Sequence, residues 1–298
     1  MPAEEALVDF LSGWISGGVS VLACQPIDTV LTRMQANAVI QPAGVDKIAP
    51  RAGVVGVNIL RGMVSNFGYT SLWRGSSPMI GAVPVQNALL MTGYGAGKRW
   101  SESPSGSSEG SNLLLSVFVG GCTGGVLQSF IMSPVELVKV IQQVVGESTT
   151  SATATVCRGV FSSTGAWKGL GATLLRDGIP HGVWFASYEY AKKKLSDYRL
   201  ENCGEIQVEN NVATPMLSGA FAACTAWGVG YPFDLIKTRI QAGAGTGIFA
   251  TGKLLIAESD GRVVQGLYKG FSLKLLRAIP ASAIGFLTYE YAGKHLGS

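Results

Sequence analysis

The sequence predicts an all-α membrane protein with six transmembrane helices, two in each of three tandem repeats, and a short extra helix inside each repeat. Three observations carry that prediction. The first is composition: of 298 residues, 47% are hydrophobic, only 14% are charged and 40 are glycine, with a mean hydropathy of +0.30. Soluble domains usually carry about 25% charged residues, so this balance suits a chain that faces lipid. The second is a set of uncharged runs at 10–27, 75–97, 112–135 and 211–233, each near or above the ~18 residues that read as a spanning helix. The third is a motif that occurs three times. Pro26, Pro134 and Pro232 are each followed two residues later by an acid (Asp28, Glu136, Asp234) and nine residues later by a glutamine (Gln35, Gln143, Gln241).

The opening segment, Met1-Pro2-Ala3-Glu4-Glu5, is acidic and has neither a cleavable signal pattern nor transit-peptide composition, so targeting information is expected to be internal. The first long helix of each repeat holds the proline, which removes a backbone donor and kinks the helix. Thirteen residues before the proline stand Gly13, Gly121 and Gly219, and nine before it stand Gly17, Gly125 and Ala223. Small residues four apart on one face let membrane helices approach closely. A polar connection and a short helical segment follow, at 53–65, 153–163 and 247–259. Each leads into an aromatic-basic-glycine turn: Trp73-Arg74-Gly75, Trp167-Lys168-Gly169 and Tyr268-Lys269-Gly270. An aromatic beside a cation suits the membrane interface, and the glycine lets the chain turn. The second long helices are 75–97 and two interrupted apolar stretches, 170–190 and 273–291. Arg176-Asp177 interrupts one, and Lys274 with Arg277 the other. The polar links 101–111 and 196–209 separate the repeats, which we place at 6–100, 112–196 and 211–296. An even number of helices puts both termini on one side.

Several function classes are excluded on composition. A net charge of +4, scattered along the chain, argues against nucleic acid and for anionic lipid headgroups. Five cysteines show no CxxC spacing, and the presence of only two histidines, His181 and His295, argues against a His-based metal site. No nucleophile with a base, metal set or phosphate loop is visible, so neither enzymatic activity nor a cofactor is expected.

The three phased Pro-x-acid motifs and aromatic-basic-Gly turns, covering essentially the whole chain, resemble the mitochondrial carrier (solute carrier 25) family. That resemblance implies a pseudo-threefold bundle around a central cavity with alternating access. It also implies short helices on the matrix side, an inner mitochondrial membrane location, and termini towards the intermembrane space. It further implies a matrix gate in which each acid meets the base of the next repeat: Asp28 with Lys139, and Glu136 with Lys237. Asp234 should meet position 31, which is Leu31, so two bridges are expected and not three. Arg33 lies on the wrong face to replace the missing base, and Ile141 stands where another base could be. Gln35, Gln143 and Gln241 match the family's brace beneath the ion pairs. On the cytosolic side the aromatic-acid-x-x-base motif reads Tyr188-Glu189 with Lys192. Repeat one lacks the acid, having Gly95 before Lys98, and repeat three has Glu290 with Gly293 where the base belongs. One bridge, Glu290 to Lys98, is expected there.

The substrate is expected at charged positions deep in the second helices. Arg176 and Asp177 precede Glu189 by thirteen and twelve residues, about 20 Å along a helix. Arg277 stands at the same register before Glu290, and Ala82 and Val83 there in repeat one are apolar. A guanidinium for a carboxylate and Asp177 for an ammonium suit a zwitterion, and an adjacent Arg-acid pair here resembles amino-acid and carnitine carriers. The segments Phe185-Ala186-Ser187-Tyr188-Glu189 and Phe10-Leu11-Ser12-Gly13-Trp14 resemble that branch and a sister group for methylated amino acids and choline-like solutes. Two alternatives stay open: Arg176–Asp177 as a self-satisfied internal pair, and Arg277 as a pivot. Trp184, Trp227 and Tyr231 could present faces to a cation or simply pack, and His181 could tune charge with pH. The expected partners are a small solute and membrane lipid, cardiolipin included, with the chain a monomer. The competing functions are a carrier-like receptor or scaffold that does not transport, in keeping with Leu31, Gly95 and Gly293, and a carrier for another solute class, a nucleotide or cofactor.

Overall fold

The computed structural model describes residues 3–36, 52–101, 111–144, 148–159, 165–203 and 213–296. Among them the secondary structure is helical. Long helices α1 (Ala3–Ala36), α3 (Ser76–Ser101), α4 (Ser111–Val144), α6 (Leu170–Cys203), α7 (Ala213–Gln241) and α10 (Phe271–Leu296) are interleaved with short ones: α2 (Ala52–Phe67), α5 (Thr149–Arg158), α8 (Ile248–Ala257) and α9 (Val263–Leu267). A 3-10 turn, Tyr69–Trp73, precedes α3. Of the links expected at 101–111 and 196–209, residues 102–110 and 204–209 lie outside the described residues, whereas 196–203 continue helix α6 and are not a link.

Each long helix has 26 to 34 residues, about 39 to 51 Å at 1.5 Å per residue, more than the ~30 Å of a bilayer core. Two, Phe10–Ala36 and Leu113–Val144, are also apolar enough to cross a membrane by composition. The others are diluted by charges or by small, weakly polar residues. The helices run past the apolar stretches, so each proline motif lies inside a helix and not at its end. Pro26, Pro84, Pro134, Pro180, Pro232 and Pro280 are all helix-internal.

The short helices differ from expectation by a few residues for local reasons. Helix α5 begins at Thr149, not 153, because the Ser148 hydroxyl accepts from the Ser151 amide, a side-chain N-cap. The three glycine turns hold as expected: Gly75, Gly169 and Gly270 have φ of 81°, 84° and 90°, the left-handed region that a side chain disfavours.

Contacts group the chain into two units. One comprises Met1–Gln86, Ile131–Leu170 and Leu235–Ser298; the other comprises Asn87–Phe130 and Gly171–Asp234. In the first, α1 lies along α10 through a stripe of small donors one turn apart. Ser16 donates to the Gly285 carbonyl at 2.7 Å, Ser20 to Ala281 at 2.5 Å, and the Cys24 thiol reaches Arg277 at 4.0 Å. The Trp14 and Trp73 indoles donate to the carbonyls of Ile80 and Leu22. These rings are half-exposed, each with its polar edge satisfied.

The position seven residues after each proline behaves consistently in this unit. Arg33 stacks its guanidinium 5.6 Å from the Phe67 ring at the end of α2. Ile141 packs on the cluster of Leu137, Val138, Ala152, Val156 and Ala166, joining α4 to α5. Arg239 forks onto Glu258, just past α8, at 3.2 and 2.9 Å. The same register thus docks three short helices by three different interactions, and Ile141 is a packing residue and not a lost charge.

In the second unit α4 is packed between α3 and α6. A Cβ on Gly93 would meet the Gly124 Cα at 2.6 Å, and one on Gly121 would meet the His181 carbonyl at 2.7 Å. Gly125 abuts the Asp177 carbonyl even more closely. Here the small-residue motif works as expected. At Gly13 and Gly219, which hold the same register in the other repeats, an added Cβ would have nothing within 4 Å among the described residues, and at Gly17 its three nearest atoms would all belong to the Val83 side chain. The motif therefore brings backbones together in repeat two and not at those positions in the others.

Candidate functional site

In the first unit the proline-motif charges meet in pairs. Lys139 Nζ donates to Asp28 Oδ2 at 3.1 Å, and Lys237 pairs with Glu136. Lys237 is almost completely buried. A buried ammonium without a carboxylate would be costly, so the pair is a strong structural constraint. Asp28 has a second partner that the sequence did not reveal: Arg277 Nη1 lies 2.8 Å from the same Oδ2. Lys274, buried on α10, also acts electrostatically on Asp28.

The glutamines do not all sit beneath ion pairs. Gln143 donates its amide to Thr29 Oγ1 at 3.0 Å and to the Arg74 carbonyl at 3.2 Å, tying α4 to α1 and to the turn before α3. Gln35 accepts from the Thr238 hydroxyl at 3.2 Å. Gln241 is buried, and among the described residues neither of its amide ends is hydrogen-bonded. Arg33 donates to the Gln143 carbonyl at 2.7 Å, in keeping with a face turned elsewhere.

The second unit contains a cavity of about 560 Å³, within the usual range for small-molecule sites. Helix α6 supplies most of its wall, because Arg176, Asp177, Pro180, His181, Trp184, Phe185, Tyr188 and Glu189 recur every three or four residues on one face. Leu90, Met91 and Tyr94 come from α3, and Ala226 and Trp227 from α7. Arg277, expected in the same pocket as Arg176, is not among the lining residues.

At one end, Arg176 gives Nε and Nη2 to Asp177 Oδ1 at 2.7 and 2.6 Å. Ser129 donates its one hydroxyl proton to the Gly125 carbonyl at 2.7 Å and stands 3.3 Å from Asp177 Oδ2, a shared and weaker contact. Arg176 Nη1 also faces Asp234 Oδ1 at 3.5 Å. His181 Nδ1 lies 2.6 Å from the Asp177 carbonyl and must donate to it. The neutral ring then accepts at Nε2 from the Gln128 amide at 3.2 Å.

The rest of the wall is aromatic. Trp184 and Tyr188, one turn apart, stack at 5.5 Å and 7°; Tyr94 stacks on Phe185 at 4.4 Å; Trp184 and Phe185 meet edge-on at 5.0 Å. Lys192 sits 5.9 Å over the Tyr188 ring. Trp184 and Trp227 thus line the cavity, whereas Tyr231 is fully buried and does not. Tyr94, Phe185 and Tyr188 were missed as wall residues, although the i, i+1, i+4 spacing on α6 carries the signal. Glu189 lines the same cavity. The side chains of Glu290 and Lys294 lie outside the described residues, so the Glu290–Lys98 expectation has no geometry here.

Compared with known proteins, the chain matches the family model described as "Mitochondrial carrier protein" over residues 3–104, 111–199 and 208–298. It is similar to the mitochondrial arginine transporter BAC2 of Arabidopsis thaliana, 29% identical over 95% of this chain and 90% of that protein. It is also similar to the mitochondrial carnitine/acylcarnitine carrier protein of Mus musculus, 31% identical over 97% and 94%. A third relative, solute carrier family 25 member 45 of Mus musculus, is 30% identical over 98% of both chains.

Proposed function

The chain belongs to the mitochondrial carrier family, and on that premise we propose that it carries a solute with one carboxylate and one cationic centre across the inner mitochondrial membrane. Basic amino acids and carnitine or acylcarnitine are the two classes that fit. The arginine and carnitine relatives support this reading, as does the charge balance of the cavity wall. One observation carries it: a guanidinium oriented by Asp177 shares a cavity with stacked aromatic rings and a second carboxylate, Glu189. Arg176 takes the solute carboxylate as a fork. The faces of Trp184 and Trp227, with Glu189, take the cation. Asp177, spent on Arg176, holds the guanidinium in place. A nucleotide would require several cations for its phosphates, and among the described lining residues Arg176 is the one guanidinium or ammonium.

In this reading the six long helices span the membrane as three repeats, 6–100, 112–196 and 211–296, with both termini towards the intermembrane space and access alternating between the two sides. Asp28, Glu136, Lys139, Asp234 and Lys237, with Gln35, Gln143 and Gln241, form the matrix gate, and Arg277 joins them through Asp28. Lys98, Glu189, Lys192 and Glu290 form the cytosolic gate. The chain works as a monomer, without a cofactor, and contacts cardiolipin.

The test is uptake by the purified chain in liposomes of labelled L-arginine, L-carnitine and ADP, paired with a thermal-shift screen, because a bound solute raises apparent stability. Arginine or carnitine should be exchanged and should stabilise the protein, and ADP should do neither. Arg176→Lys keeps the charge but loses the fork, so it should fold and lose solute-dependent stabilisation. Uptake that survives Arg176→Lys unchanged would remove Arg176 from the site. Absence of exchange for every amino-acid-like solute would favour a scaffold.

A further inference from the structure

His181 lines the cavity one helical turn beyond Asp177, and both of its ring nitrogens are held. Nδ1 lies 2.6 Å from the Asp177 carbonyl oxygen, so it carries a hydrogen whether the ring is neutral or charged. Nε2 faces the Gln128 amide nitrogen at 3.2 Å. Gln128 stands on α4, is 1% exposed and is not among the lining residues. Its carbonyl oxygen, Oε1, is buried and has no hydrogen-bond partner among the described residues. An amide offers donors at one end and an acceptor at the other. Turned one way, Gln128 donates to a neutral ring; turned the other way, Oε1 accepts from a protonated Nε2. Each orientation leaves one amide end without a partner, so the pair accommodates either state of the ring equally well.

The charge around this ring is sparse enough for one proton to matter. On α6 itself, Arg176, Asp177 and Glu189 share the wall with His181. Asp234 on α7 faces Arg176 at 3.5 Å. Helix α4 presents Cys122, Gln128 and Ser129 to this stretch of α6, and α3 contributes Tyr94 to the wall, all uncharged near neutral pH. With a neutral ring, one guanidinium against two carboxylates leaves the described wall one unit negative; a proton on His181 makes it neutral. We propose that His181, braced by Gln128, is a proton site that sets the charge of the cavity and so decides between the two solute classes. The proposal rests on the reading of the cavity as the solute site. A net cation such as arginine complements the unprotonated, negative wall. A zwitterion of no net charge, such as carnitine, complements the protonated, neutral wall. Attraction between charges is stronger in a partly enclosed cavity than in water, so a proton on His181 and a net cationic solute oppose each other's binding.

The experiment measures uptake of labelled L-arginine and L-carnitine into liposomes with equal pH on both faces. It spans about pH 6 to 8, within the range where a histidine changes charge. The ratio of KM for arginine to KM for carnitine should rise on acidification, by at most about tenfold per pH unit, the limit for one proton. His181→Asn keeps a donor towards the Asp177 carbonyl but cannot take the proton, so the ratio should become flat. His181→Gln serves as the second variant if His181→Asn does not fold. Gln128→Glu sets a carboxylate against Nε2, which holds the proton to higher pH, so the profile should move up the pH scale. An amide that only packs would not move it. A ratio that is constant or falls on acidification in the unaltered protein overturns the proposal. So does a pH-dependent ratio that survives the loss of His181, or an unmoved profile in Gln128→Glu. Failure of the unaltered protein to take up either solute at any pH overturns the functional reading instead, so the two failures are distinct.

Discussion

Gly125→Ala is the sharpest test of how the solute site is supported. A Cβ at Gly125 would fall on the Asp177 carbonyl oxygen, with the Asp177 carbonyl carbon at 2.7 Å and the Gly178 Cα at 3.1 Å. All three are backbone atoms, so no rotamer relieves the clash and α4 must move away from α6. Overpacking of this kind costs about 1–3 kcal/mol, against a gain of at most ~1 kcal/mol from replacing a helical glycine by alanine. The net loss of roughly 0–2 kcal/mol corresponds to a fall in apparent Tm of up to about 8 °C, scaling from domains somewhat smaller than this chain. Function should suffer more than stability. Ser129, one turn further along α4, shares its hydroxyl between the Gly125 carbonyl at 2.7 Å and Asp177 Oδ2 at 3.3 Å, and the longer contact has little reach to spare. As it opens, Asp177 loses its second anchor and Arg176 its orientation, so KM for arginine or carnitine should rise while the protein stays folded. Gly13→Ala and Gly219→Ala occupy the same motif position with nothing within 4 Å, and each should gain roughly 0.5–1 kcal/mol. The assay is tryptophan-fluorescence melting in detergent alongside uptake into liposomes. A Gly125→Ala protein as stable and as active as Gly219→Ala would refute the close approach of α4 and α6.

Glu136→Gln leaves the Lys237 ammonium, whose side chain is 3% exposed, without its carboxylate. Stability should fall by about 3–5 kcal/mol, and Glu136→Lys with Lys237→Glu should recover most of it; both are read by thermal unfolding in detergent. Trp184→Ala removes one face of the cavity wall and should raise KM for cationic solutes roughly 2- to 30-fold, while Trp184→Phe keeps most of the affinity. If initial-rate uptake gives the same KM for Trp184→Ala as for the unaltered protein, the aromatic wall takes no part in binding.

Much of the framework was legible because it is written locally. Uncharged runs mark helices, and a glycine after an aromatic-basic pair marks a turn that needs a positive φ. Gly75, Gly169 and Gly270 all adopt that φ. The residues expected to meet on resemblance, Asp28 with Lys139 and Glu136 with Lys237, do meet. The partner of Asp234 was not legible. Periodicity tells which face of a helix a carboxylate occupies, but not that Arg176, 58 positions earlier, reaches across to it. The cavity wall was half-legible for the same reason. Trp184 and Trp227 stood out as aromatic residues on apolar helices, but the stacking of Tyr94 on Phe185 exists only because α3 and α6 run side by side.

Residue order alone thus settles the class of the protein, its three phased repeats and the helical register of each proline motif, because composition and spacing are properties of the chain. Packing between helices settles what each repeated position does. Seven residues past the three prolines stand Arg33, Ile141 and Arg239, and they dock three short helices through an aromatic ring, an apolar cluster and a carboxylate. A Cβ on Gly125 would meet backbone, whereas one on Gly13 or Gly219 would have nothing within 4 Å among the described residues. Equivalent positions received different tasks because the neighbours facing them differ, and those neighbours come from contacts between helices that the order of residues within one helix does not encode.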